Sequence, residues 1–217
     1  MSENKQVKCK TRVADHGEVF THEREVNAML DLVKQETERI DSRFLEPACG
    51  NGNFLAEVLH RKLFVVSDKY KKNQLDYERY AILALSSIYG VDILEDNVIE
   101  CRQRLLNIFD AQYSKLFNMH TREECKKSAE YILNQNIIWG DALTLMRVDI
   151  KEKPIVFAEW SAVNGSLLKR RDFTLNELLR NSTAGDLGLF SDLGEEAFIP
   201  TPIKEYPLTH FLKVADV

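Results

Sequence analysis

The stretch FLEPACGNGNFL, Phe44 to Leu55, decides how this chain is read. An apolar pair, Phe44 and Leu45, ends in an acid, Glu46. Small residues follow, and the run turns apolar again at Phe54 and Leu55. That is the profile of a short buried strand, a tight turn and the start of a helix. Gly50 and Gly52 let the main chain bend sharply and approach a ligand with no Cβ in the way. In an open α/β sheet, ligands bind beyond the carboxyl ends of the strands, near the point where strand order reverses. The stretch has no Gly-Lys-Ser/Thr, so it is not a P-loop, and its spacing is not GxGxxG. An acid at a strand end repels phosphate and favours a cation or hydroxyls.

Outward from this stretch, strands and helices alternate. Val26, Met29, Leu30 and Val33 recur at helical spacing, which predicts a helix from Glu23 to about Ile40. FLAEVLHRKL and YERYAILALSSI read as helices, and YGVDI as a short strand. A long helix is expected from Glu95 to Leu116, with Val98, Cys101, Leu105, Ile108 and Phe109 on one face. TREECKKSAEYILNQ reads as another, with Thr121 as N-cap and Glu124 three residues on. NIIWGDAL is strand then turn, and PIVFAEW, Pro154 to Trp160, is a fourth strand. Residues 1–22 read as irregular, with a basic cluster at Lys8, Lys10 and Arg12. Beyond Trp160 the signals weaken. DFTLNELLRN reads as helical, STAGDLGLFSDLGEEAF as loop, and IPTPIKEYPLTHFLKV as extended with a final short strand or turn. The alternation predicts an α/β layer structure with a mainly parallel sheet.

The chain has 217 residues, 44% of them hydrophobic and 29% charged, which suits one globular domain with a real core. No apolar run reaches the roughly 18 residues needed to span a bilayer. The polar start, MSENKQVKCKTR, lacks the apolar segment of a secretory signal, so a cytoplasmic protein is expected. The four cysteines are far apart and form no CxxC pair, so no zinc site is expected. A net charge of −5 argues against one broad nucleic-acid surface, while permitting a local basic strip or a cationic partner.

FLEPACGNGNFL resembles motif I of the amino-methylating DNA methyltransferases, whose cofactor is S-adenosylmethionine. HGEVFTHEREVNAML, His16 to Leu30, resembles the segment called motif X, which precedes motif I in the gamma-type enzymes; here His22 stands where proline is usual. YGVDIL resembles motif II and IIWGDAL motif III. The resemblance covers residues 12 to 160. It implies a Rossmann-like class I S-adenosylmethionine-dependent methyltransferase fold, α/β, with an incomplete sheet and an N-terminal helix. It implies that Phe20 and Thr21 line the methionine end of the cofactor. Glu46, Pro47, Ala48, Gly50, Gly52, Asn53 and Phe54 would form the turn against it. Asp92, with Ile93 beside it, would accept hydrogen bonds from the ribose hydroxyls, and Asp141 and Ala142 would lie near the adenine. Each piece also has a purely structural reading: a strand-end Asp caps the next helix, Gly140-Asp141 is a common turn, and Phe20 anchors a core.

The family's catalytic Asn/Asp-Pro-Pro-Tyr/Phe, expected after the fourth strand, is missing. In register stand Phe157, Ala158, Glu159, Trp160 and Ser161. Glu159 could accept a hydrogen bond from an exocyclic amine and Trp160 could stack on a flipped base; Trp160 could equally be a packing residue. Lys169, Arg170 and Arg171 could touch phosphate, or could be a solvated charge run. The sequence therefore divides into an N-terminal arm, 1–22, a methyltransferase-like cofactor-binding domain, 23–165, and a partly irregular C-terminal extension, 166–217. The expected function is that of an S-adenosylmethionine-binding DNA methyltransferase-like protein of a restriction–modification or related defence system, methylating adenine's amine if active. The alternative is a non-catalytic subunit that needs a partner chain, a second methyltransferase or a specificity chain. A methyltransferase for protein or small molecules is a third reading. Neither a metal nor a membrane is expected.

Overall fold

A computed structural model describes residues 8–179 and 200–216. The predicted loop STAGDLGLFSDLGEEAF lies outside them. Helix α1, Lys10–His16, forms within the arm read as irregular; Cys9 Sγ accepts from the Arg12 N–H at its start and left-handed Gly17 ends it. Helix α2, Glu23–Leu32, is opened by a capping box. His22 Nδ1 accepts from the Arg24 N–H and Glu25 reaches back to the His22 N–H, so the histidine fixes the helix entry where proline was expected.

The helix expected to run to Ile40 breaks at Val33 into a short α3, Lys34–Thr37. The segment that follows α3 is held from downstream. Lys62, fully buried on helix α4 (Asn53–Tyr70), donates to the carbonyls of Arg39, Ile40 and Ser42 at 3.0, 3.0 and 2.5 Å and to Ser87 Oγ at 2.9 Å. These bonds fix the chain between α3 and the first strand against α4.

Three strands form the parallel core: β1, Phe44–Glu46; β2, Ile88–Asp92; β3, Ile137–Asp141. They lie in the order β1-β2-β3, and β4, Met146–Arg147, is added antiparallel to β3. Helices α4 and α5 (Gln74–Ser86) connect β1 to β2; α6 (Glu95–Phe117) and α7 (Glu123–Asn136) connect β2 to β3. The predicted Thr121 cap is not used. A 3-10 turn, Asn118–His120, and two extended residues precede α7, whose N-cap is Arg122 with no side-chain bond.

The fourth predicted strand forms but does not join this sheet. β5, Val156–Ala162, pairs antiparallel along its length with β6, Leu167–Thr174, in a second sheet that takes in β7 (Lys204–Glu205) and β8 (Thr209–His210). The DFT read as helix is thus the end of β6, and a helix begins only at Leu175. The architecture is α/β with a mixed four-stranded sheet.

Two cores follow from the pleat. Ile88 and Ile137 meet the apolar faces of α4 to α7, together with Trp160 and with Phe211 and Val214 of the last 3-10 turn. On the opposite face, Tyr89, Val91 and Ile138 meet Ile155, Phe157 and Leu175. No helix among the described residues is long and apolar enough to cross a membrane.

Candidate functional site

Strand register sets the site. Glu46 lies opposite Gly90, and Asp92, two residues on, lies opposite Trp139, two residues before Asp141. Paired residues on neighbouring strands point to the same face, as do residues two apart. Glu46, Asp92 and Asp141 therefore project from one face at successive strand tips. One strand over and two residues along, neighbouring acids stand roughly 8 Å apart at Cα.

The glycine turn connects β1 to α4 beside them. Gly50 and Gly52 have φ of 51° and 84°, where other residues are strained. The turn is tied to β2 twice. The Cys49 N–H donates to the Val91 carbonyl at 2.9 Å, and the Gly50 N–H donates to Asp92 Oδ2 at 2.8 Å. Asp92 Oδ1 accepts from the Leu94 N–H at 2.9 Å and from Asn97 Nδ2 at 3.2 Å. Asp92 thus both ties down the lead-in to α6 and closes the turn. Its Oδ2 keeps a lone pair beyond the Gly50 bond.

The close approaches at the two glycines are made by the protein itself. A Cβ on Gly50 would stand 3.0 Å from Phe20 Cε1, and one on Gly52 would stand 2.7 Å from Cys101 Sγ. Phe20 is buried against the turn, and exposed Thr21 offers its carbonyl to Asn53 Nδ2 at 3.2 Å. Phe54 packs on the main core, and Pro47 and Ala48 are exposed at the turn. Burial raises the pKa of Glu46 against the opposing Ala48 N–H. The Cys49 thiol is raised by its hydrogen bond with Cys101 and by burial, which keeps it protonated.

Past the tips of β2 and β3 the surface is apolar. Ile93 is 46% exposed and Leu143 95% exposed. Trp139 Nε1 donates to the Ile93 carbonyl at 2.9 Å and holds it in place. Asp141 Oδ1 accepts from the Leu143 N–H at 2.9 Å, which lowers its pKa, and Ala142 packs on the smaller core.

The N-terminal arm lies over the tip of β2. Arg12 donates to Glu18 Oε1 at 2.6 Å and to Asp96 Oδ2 at 2.5 Å, and Lys8 to Glu100 at 2.6 Å. Asn97 Nδ2 is shared between Glu18 Oε1, at 2.8 Å, and Asp92 Oδ1. Arg12, followed by Lys8, holds the Asp96 carboxyl down at about 2. Glu18 and Asn97 were not singled out in the sequence. An acid in HGEVF and an Asn in a helix's first turn carry no pattern that marks them.

Glu159 and Trp160 stand elsewhere. Glu159 faces a cavity of about 190 Å³ lined by Arg43, Leu45, Tyr89, Phe157 and Phe173, on the sheet face opposite the three acids. Its carboxylate pairs with Arg43 and, at 2.7 Å, with Arg171. Trp160 is 7% exposed, edge-on to Tyr131 with its ring beside the Arg170 guanidinium. Its role here is packing. The basic run of β6 is also engaged: Lys169 with Glu205, Arg170 with Asp172 and Arg171 with Glu159.

Among the described residues no group of three or more His, Cys, Asp or Glu side chains is placed to hold a metal. The donor set at the strand tips is carboxylate-rich and bordered by exposed apolar side chains. It fits a ligand with hydroxyls, a positive charge and a flat ring, and does not fit a phosphate. Glu18 Oε2 and Asn51 Oδ1 are buried there without a hydrogen-bond partner, as is the donor Arg12 Nε. The chain matches no protein-family model, no curated protein and no solved structure.

Proposed function

We propose that the chain is a methyltransferase-like protein of a DNA restriction–modification or related defence system. It binds S-adenosylmethionine at the tips of β1, β2 and β3, on a Rossmann-like class I sheet cut short after three parallel strands. The observation that carries this reading is the placement of Glu46, Asp92 and Asp141 on one face, joined to the glycine turn through the Gly50–Asp92 hydrogen bond. When bound, the cofactor supplies an electrophilic methyl group. The remaining Asp92 Oδ2 lone pair accepts from the ribose diol. Ile93 and Ala142 border the adenine, with Asp141 at its edge. Glu46, Pro47, Ala48 and Asn53 wall the turn, while Gly52 and Phe54 set its shape. Phe20 and Thr21 close the methionine end. This is a cytoplasmic reading with no metal.

Methyl transfer to adenine's amine needs an acceptor for the amine's hydrogens at the same site. A second reading, of a subunit that is not catalytic alone, is favoured by one observation: Glu159 is held by two arginines on the far face. With the β6 cations also engaged, both base activation and DNA contact fall to a partner chain. The test is a transfer assay with radiolabelled cofactor on unmodified DNA. The reading predicts bound label, no transfer by the chain alone, and transfer once its partner is added. A chain that binds no label contradicts both readings.

A further inference from the structure

Around Glu18 the charges do not balance. Three carboxylates, Glu18, Asp96 and Glu100, share two cations, Lys8 and Arg12, and a fourth, Asp92, is joined to them only through Asn97. Asp96 and Glu100 are about half exposed, so water serves them. The Glu18 side chain is only 7% exposed. Its Oε1 is saturated by Arg12 and Asn97, and its Oε2 is buried with no partner. A buried carboxylate oxygen without a donor loses the hydrogen bonds that water gave it. It sits beside the ligand-facing side of β2, because Asn97 Nδ2 links Glu18 directly to Asp92. Phe20, two residues on, is the ring that fills the notch at Gly50. Surplus negative charge in a water-poor site draws a positive group with hydrogens to give.

We propose that Glu18 is a binding residue that selects a positively charged nucleoside, its free Oε2 taking an ammonium hydrogen of the ligand. This rests on the nucleoside-pocket reading above and extends it to a residue of the arm. The arm is then part of the site, and Arg12 acts as a positioning residue that holds Glu18 in place. A neutral nucleoside of the same shape gains nothing from Glu18.

The experiment compares S-adenosylmethionine with 5′-methylthioadenosine, which keeps adenine and ribose but lacks both positive charges. Binding of each is measured to the wild-type chain and to Glu18→Gln, whose amide oxygen still accepts from Arg12 and Asn97. A thermal melt confirms that the variant is folded. Glu18→Gln is expected to weaken S-adenosylmethionine at least fivefold and to leave 5′-methylthioadenosine within twofold. Equal loss for both ligands, or no loss for either, overturns the role of Glu18 while the pocket reading stands. If the folded wild type binds neither, the pocket reading fails and this inference with it.

Discussion

The Gly50 N–H and the Asp92 carboxylate lie 2.8 Å apart, so the turn after the first strand is closed by the acid at the tip of the second. One side chain thereby serves the fold and the candidate site together. Asp92→Ala strands the N–H groups of Gly50 and Leu94 and the amide of Asn97. It is expected to cost roughly 2–4 kcal/mol by urea denaturation and to weaken S-adenosylmethionine more than tenfold by calorimetry. An unchanged dissociation constant removes Asp92 from the site.

Gly50 has a different sensitivity. At φ 51° an Ala is strained, by about 1–2 kcal/mol, and its Cβ would meet the Phe20 ring at 3.0 Å. The contact makes the two positions interdependent. Phe20→Leu should recover part of the stability that Gly50→Ala loses, read as a non-additive double-mutant cycle. Gly50→Val, which displaces the ring further, should abolish nucleoside binding in a chain that still melts cooperatively. Strict additivity of the pair means the ring does not set the turn.

Lys62 gives the pH dependence. Burial pushes its pKa from 10.5 down to about 7, while three carbonyls and a hydroxyl keep a proton on it below that. From about pH 7 up towards 10.5 the unfolded chain holds a proton that the native chain has lost. By linkage, this residue makes stability rise with pH across that window and adds no slope below it. Lys62→Met should remove that rise and lower stability at neutral pH by roughly 2–4 kcal/mol, since the carbonyls lose their donor. Equal slopes in the two proteins, from denaturation at several pH values, contradict the assignment.

Glu159 separates the two faces of the sheet. Its pairs with Arg43 and Arg171 connect β5 to the start of β1 and to β6, away from the glycine turn. Glu159→Ala should lower stability by about 1 kcal/mol, because the carboxylate is largely buried while both arginines reach solvent. S-adenosylmethionine affinity should stay within twofold. A large loss of affinity at constant stability would bring Glu159 back to the strand-tip site.

Much of the parallel core was legible because each of its strands is a short apolar run ended by an acid or glycine, and each crossover helix has a long apolar face. Pairing was less so. PIVFAEW has the composition of a buried strand, but which neighbour it takes is set by β6, and that strand was hidden. Its inward positions Arg170 and Asp172 form a shielded ion pair, so the alternation that marks a strand is written in charge rather than in apolar residues. Contacts made from a distance were also invisible. Nothing between Glu23 and Ile40 says that Lys62 will claim the carbonyls at its end. At the site, the acids at Glu46, Asp92 and Asp141 were readable from their places after strands. The placement of Glu18 beside them was not, because it depends on a contact with Asn97, far along the chain.

In the proposed reading an adenosyl cofactor sits against the glycine turn and the three strand tips. The most direct measurement is a two-dimensional amide NMR titration with S-adenosylmethionine on uniformly labelled protein. The account predicts saturable shifts of the Gly50, Gly52, Leu94 and Leu143 amides, with the β5–β6 hairpin undisturbed. Unmoved glycine amides at saturating cofactor, or shifts confined to residues around Tyr89 and Phe173, would contradict it.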